Sequence, residues 1–257
     1  MSKRDATEAF SPVIVLPPDE TTGVDAALVK AVKDQVERGF VRVGEEFERP
    51  INSATFEALM RAMSTEWDMS NVKSFSIEHT PSAALPETLP TMVRCETVYL
   101  DDNGNAGVLC DNFARVFPNV KKVCLNNNGL SSPVELAPLA GCANLRVVDL
   151  SRNAFLDPIE AIGALPSTVT KVQLMLQETV MRCDVANVDT LPEQLKSLDL
   201  GYNLDSQPTP RLLQHLANAA DKSLAYLSVD GYGDLSLWPL KLGKLERYPT
   251  ESHYTVE

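Results

Sequence analysis

Residues able to act as nucleophile, base or metal ligand are few and scattered in this chain. Its three histidines, His79, His215 and His253, stand far apart, and the five cysteines (Cys95, Cys110, Cys124, Cys142 and Cys183) show no paired spacing. No Cys-x-x-Cys or His-x-x-x-His pair offers two ligands to one metal, and no Gly-x-x-x-x-Gly-Lys loop offers a phosphate cradle. No metal and no cofactor is expected. The one pairing of nucleophilic character is Cys183-Asp184, a thiol beside a carboxylate. A reactive thiol needs a positive setting to hold the thiolate, and no basic cluster surrounds this one. An odd, unpaired set of cysteines fits reduced thiols in an intracellular protein. The chain does not read as an enzyme.

The elements that would have to position such groups recur along the chain. Leu145-Arg-Val-Val-Asp-Leu-Ser-Arg-Asn153 is preceded 25 residues earlier by Val120-Lys-Lys-Val-Cys-Leu-Asn-Asn-Asn128, and that by Cys95-Glu-Thr-Val-Tyr-Leu-Asp-Asp-Asn103 after another 25. Written as apolar-x-x-apolar-x-apolar-x-x-Asn, the unit starts at Val72, Cys95, Val120, Leu145, Val169, Leu195 and Leu224, with spacings of 23, 25, 25, 24, 26 and 29 residues. All 21 apolar slots are filled from the hydrophobic set, which makes up only 44% of the chain, so chance does not account for the pattern. A period in the twenties means stacked units that bury their apolar faces against one another. The fourth and sixth slots have the period of two that sends both side chains inward from a strand. The ninth slot is Asn103, Asn128, Asn153 or Asn203. A turn buried there leaves backbone donors and acceptors unpaired, and an asparagine amide serves both. Thr80 and Gln177 can do part of this work; Tyr232 cannot, so the last repeat is expected to fray.

In this pattern the chain resembles the leucine-rich repeat proteins, over about residues 72 to 232. The best matches, Val120 to Leu130 and Leu145 to Phe155, continue into the x-apolar endings Gly129-Leu130 and Ala154-Phe155. The resemblance, taken as one to the intracellular type, implies an α/β solenoid: a horseshoe of about seven repeats with a parallel concave sheet and helices or turns on the convex side. Certain bacterial leucine-rich repeat ubiquitin ligases use a cysteine followed closely by an aspartate, but in a separate helical domain after the repeats. Cys183 lies within a repeat, on the convex side, and reads as a small buried hydrophobe.

The return segments are short. Val108, Leu109, Phe113, Val116 and Phe117 suggest one apolar face of a brief helix. Pro208 and Pro210 suit the start of a longer one, with Leu212, Leu213, Leu216 and Ala220 as its stripe. Pro118, Pro166 and Pro192 sit where the chain re-enters extended geometry. Solenoid ends need covers. Residues 21–71 read as an N-terminal cap: a helix from Thr22 to Arg38 closed by Gly39, a short strand Phe40 to Val43, and a helix capped by Asn52 or Ser53 with Phe56, Leu59, Met60 and Met63 inward. Residues 233–257 read as a C-terminal cap and tail, with Leu235, Leu237 and Trp238 as a lid. Residues 1–20 and the last six read as loose.

The net charge of −12, from 35 acidic and 23 basic residues, disfavours nucleic acid and anionic membrane as partners. No apolar run is long enough to span a bilayer, no secretory leader is evident, and the expected location is the cytoplasm or nucleus. Repeat register assigns the concave wall. Its N-terminal half carries an acidic strip of Glu78, Asp101, Asp102 and Asp149, interrupted by Lys122 and Arg152, with Tyr99 beside it. Its C-terminal half carries Gln173 and Asp199 and an apolar-aromatic cluster of Met175, Leu176, Tyr202 and Tyr226, expected to lie within mutual reach. Exposed methionine, leucine and tyrosine form the kind of patch that anchors an interface. The alternative for Met175 and Leu176 is a shifted, irregular strand. The expected function is a non-catalytic scaffold, adaptor or assembly subunit that grips a protein partner, a basic surface being the complementary choice. A regulator that inhibits an enzyme by covering its active site is the alternative, and a thiol enzyme using Cys183 the remote one. Oligomeric state is not legible.

Overall fold

The computed structural model describes residues 23–44, 51–80, 85–104, 109–177, 191–201, 223–228 and 253–255, with Asn203, Gln214, Leu216 and Asn218. Each apolar triplet generates one strand. β2 (Ser74–Ile77), β3 (Thr97–Tyr99), β4 (Lys122–Cys124), β5 (Val147–Asp149), β6 (Lys171–Gln173), β7 (Ser197–Asp199) and β8 (Tyr226–Ser228) each begin two residues after a repeat start. They pair in sequence order, all parallel, with Val98, Val123, Val148, Val172, Leu198 and Leu227 stacked in one row. The described members of the apolar triplets are at most 2% exposed, so the inward spine is continuous. The fold is an α/β solenoid of the leucine-rich repeat kind.

The strand anticipated at Phe40–Val43 (β1) joins the same sheet, Val41 opposite Phe75 and Val43 opposite Ile77. Two helices flank it in sequence, α1 (Ala26–Glu37) and α2 (Ser53–Thr65). α1 starts later than Thr22 because the Asp25 carboxylate accepts the Leu28 N–H at 2.9 Å and so fixes the first turn. Asn52 caps α2 by accepting the Thr55 N–H at 2.8 Å. Leu28, Val32 and Val36 of α1 and Leu59, Met60 and Met63 of α2 join the core of the repeats. At the far end, β9 (His253–Thr255) pairs antiparallel with β8, so this part of the tail is bonded into the sheet rather than loose.

Convex returns are as brief as their sequences suggest. α3 (Phe113–Val116) buries Phe113 and Val116, and Phe117 beside it packs on Phe75 with ring centroids 5.3 Å apart. A 3-10 helix covers Pro133–Leu139 and a short α4 covers Pro158–Gly163, capped by Asp157. Leu216 is helical and fully buried, in keeping with its place on the anticipated stripe. Val108, Leu212, Leu213, Ala220, Leu235, Leu237, Trp238 and Tyr232 lie outside the described residues.

Candidate partner-binding face

The concave wall is held by two ladders. In the first, ninth-slot side chains link one turn to the next. The Asn128 amide donates to the Leu100 carbonyl at 2.8 Å, and its oxygen accepts the Asn103 N–H at 3.0 Å. Asn103 repeats this with Ile77 and Thr80, Asn153 with Leu125 and Asn128, and Asn203 with Leu174 and Gln177. Gln177 keeps the ladder in a modified form: it donates to the Leu150 carbonyl at 2.9 Å, but its longer side chain accepts from the Phe155 N–H at 3.2 Å. Thr80 closes the first rung through its N–H and hydroxyl, both donated to Asn103.

The second ladder was not foreseen. His79, Asp102, Asn127, Arg152 and Leu176, all in the eighth slot, have φ between 52° and 59°. This left-handed turn aims each eighth-slot N–H at the seventh-slot carbonyl of the next repeat, as in Asn127 to Ser151 at 3.0 Å and Arg152 to Met175 at 2.8 Å. Asn, Asp and His tolerate that conformation; arginine and leucine adopt it at a cost.

Register then fixes which predicted residues meet. Tyr99, Asp149, Gln173 and Asp199 share one row, the fifth slot, together with Cys124 and Ser228. Lys122 lies over the Tyr99 ring, its Nζ 4.9 Å from the centroid. Asp101 and Asp102 sit just past the ends of the strands. Asp102 accepts from the Asn127 side chain and lies 3.8 Å from His79 Nε2. Asp101 accepts the Asn126 N–H at 2.8 Å. Burial, followed by the charges of Glu78, Asp149 and Asp102, pushes its carboxyl up to about 7. Within the acidic strip, Asp101 is thus the carboxyl whose ionisation is moved toward neutrality.

Several expectations need correction. Glu78 is only 3% exposed and accepts from the Ser76 hydroxyl, because β1 and Gly44 cover it. Cys124 and Ser228, in the fifth-slot row with Tyr99 and Asp149, are buried. The strand around Met175 is not shifted: Leu174 is fully buried, and the turn bonds to Gly201 and Asn203. Leu176 is exposed and Met175 half-buried, while Arg152 is exposed at the same edge. Tyr226, however, stands in the third-slot row beside Ser197, at the opposite end of the strands from Met175. Four residues along a strand is ~13 Å, so Tyr226 is not part of that patch. Tyr202 and Cys183 lie outside the described residues. Among the described thiols, burial pushes Cys95 and Cys124 up to about 12, so neither supplies a thiolate near neutral pH.

The opposite edge of the sheet carries a feature that inspection of single slots does not reveal. From the residue before each repeat start through its third slot, the seven repeats hold seven Lys or Arg residues and one carboxylate, Glu96. From the fifth slot through the eighth they hold six carboxylates and one arginine, Arg152. The sheet has a basic leading edge and an acidic trailing edge. A tally by slot across repeats would have found this in the sequence.

No family model matches the chain, and no curated protein matches it in sequence. Among solved structures it is similar to the Toll–Spatzle complex of Drosophila, at 16% identity and a TM-score of 0.43, over 79% of this chain and 31% of that one. It is similar to the TLR13–ssRNA13 complex at 18% identity and a TM-score of 0.43, over 63% of this chain and 26% of that one. Human 5T4, or trophoblast glycoprotein, aligns at 14% identity and a TM-score of 0.41, over 63% of this chain and 70% of that one. The chain thus spans less than a third of the length of the first two.

Proposed function

We propose that the chain is a non-catalytic module that binds a protein partner on its concave wall, as a scaffold, adaptor or assembly subunit. The observation that carries this reading is the registered wall itself: rows of side chains that the core does not use, on a backbone whose hydrogen bonds are already taken by neighbouring rungs. Such a surface is rigid before binding, which lowers the ordering cost of recognition. In this reading residues 72–232 form seven repeats, 21–71 and 233–257 cover the ends, and Met175 and Leu176 form the apolar anchor beside Gln173 and Asp199. Cytoplasm or nucleus is the proposed location, supported by the unpaired, buried Cys95, Cys110, Cys124 and Cys142.

A charge-introducing pair at the anchor, Met175→Asp with Leu176→Asp, tests the reading. Capture from native lysate is expected to lose the principal partner while the variant keeps its far-ultraviolet spectrum. Recovery of the same partner by both proteins removes the concave anchor from consideration. The inhibitor reading is favoured by the acidic strip at Asp101, Asp102 and Asp149, which would face a basic active-site rim. Steep weakening of partner binding with salt, together with loss of that partner's catalytic activity, distinguishes it from scaffolding.

A further inference from the structure

The leading edge of the sheet carries a line of exposed cations. Lys73, Lys121, Arg146 and Lys196 occupy the second slot of their repeats, just before β2, β4, β5 and β7, so they share one line along the sheet edge, with rungs ~4.8 Å apart and Thr170 in that slot before β6. On the β3 rung Glu96 takes that slot, and Arg94 stands two residues before it. All five cations are exposed. The chain has 35 acidic residues and a net charge of −12, yet this edge is predominantly basic; Glu96 pairs there with Lys121 at 2.7 Å. Lys121 and Arg146 stand on adjacent rungs and the other cations of the line two rungs apart, an excess of positive charge that a bound anion would offset.

The line borders an open cleft of about 680 Å³ formed by Lys73, Val93, Arg94, Glu96, Lys121 and neighbouring Asn and Thr side chains. Val93, 49% exposed, gives it an apolar floor. The Asn119 amide is spent on the Val93 carbonyl at 2.8 Å, and the Asn144 amide reaches Asn119 at 3.2 Å, so both brace the cleft. Among the described residues no aromatic ring lines it on which a nucleic-acid base could stack.

We infer that this edge docks an acidic peptide segment of a protein partner, laid across β2 to β5 with one apolar side chain on Val93. The three gaps between those strands span ~14 Å, which about five extended residues cover.

The probe is a labelled peptide of about eight extended residues, glutamates alternating with serine around one central leucine. Anisotropy is read at low ionic strength beside a glutamine version of the peptide and an oligothymidylate of equal charge. Wild type is expected to bind the glutamate peptide in preference to both others. Lys73→Glu, Arg94→Glu and Lys121→Glu together are expected to weaken that binding about 10-fold or more. A comparable change of net charge at the exposed Lys30 and Lys33 of α1 is expected to leave it unchanged. If the triple reversal proves unfolded by circular dichroism, Lys73→Gln with Lys121→Gln replaces it, with a several-fold loss expected. The inference is overturned by no binding to wild type, by equal binding of the glutamine peptide, by indifference to the edge substitutions, or by tighter binding of the oligothymidylate.

Discussion

Replacing Asn128 by alanine isolates the ninth-slot ladder from everything else in the fold. The side chain is fully buried and serves two backbone groups of the preceding repeat, the Leu100 carbonyl at 2.8 Å and the Asn103 N–H at 3.0 Å. Neither group has water within reach once the amide is gone, and each buried, unpaired polar group costs about 1–3 kcal/mol. The expected loss is therefore about 2–6 kcal/mol, a large share of the total stability of an ordinary domain. With a urea slope of about 2 kcal/mol per molar, the midpoint falls by about 1–3 M. Asn126→Ala is the matched control. It lies in the same turn, is half-buried, and contributes its backbone N–H rather than its amide to Asp101; its expected cost is below about 0.5 kcal/mol. Asn128→Asp adds a second readout. It keeps the acceptor for Asn103, removes the donor for Leu100 and buries a carboxylate, so its deficit is expected to be larger at pH 7 than at pH 4. Equal urea midpoints for wild type and Asn128→Ala would refute the claim that the ladder holds the turns.

Three further outcomes follow from the same structure. Asp101 keeps its proton up to about 7 in the folded chain and loses it near 3.8 when unfolded. The folded state therefore binds more protons between those values, and stability from this group is full below pH 4 and lost as pH rises toward 7. Asp101→Asn, which keeps an acceptor for Asn126, is expected to flatten that slope, by about 2–4 kcal/mol across the window in chemical denaturation. Gly44→Ala is expected to cost about 3 kcal/mol or more, since φ is +130° and a Cβ there would stand 2.0 Å from the Glu78 carbonyl oxygen; an unchanged melting temperature would contradict this. Leu176→Asn is expected to raise stability by about 0.5–1 kcal/mol, because asparagine accepts the left-handed φ of 52° more readily than leucine. A drop in the urea midpoint would show that leucine's packing outweighs that strain.

Much of this architecture was written in short-range pattern. The apolar triplets and the asparagines recur at 23 to 29 residues, and period alone locates them, while the Phe40–Val43 strand was legible from its own short apolar pattern. Exposure on the concave wall was less legible, since it depends on what the adjacent rung carries. Glu78 occupies the same slot as Asp101, yet the rung beneath it is β1 with Gly44, which closes over it. Tyr226 was grouped with Met175 by proximity of repeats, whereas the slot number places the two at opposite ends of their strands. The left-handed eighth slot escaped notice because Arg152 and Leu176 give no compositional hint of it. The segregated charges were present in the letters and needed only alignment by slot.

Solenoids built from parallel rungs have a particular hazard: each end offers the same backbone template that the preceding rung has just used, so copies can add head to tail without closing. β9 changes the terms at one end. Because it runs antiparallel to β8, a newcomer running in the direction of the repeats, as β1 does, would meet an antiparallel edge with alternating close and wide hydrogen-bond pairs instead of the even parallel ladder. The reversal of a single three-residue strand thus changes the kind of ladder that a further copy would have to form at that edge.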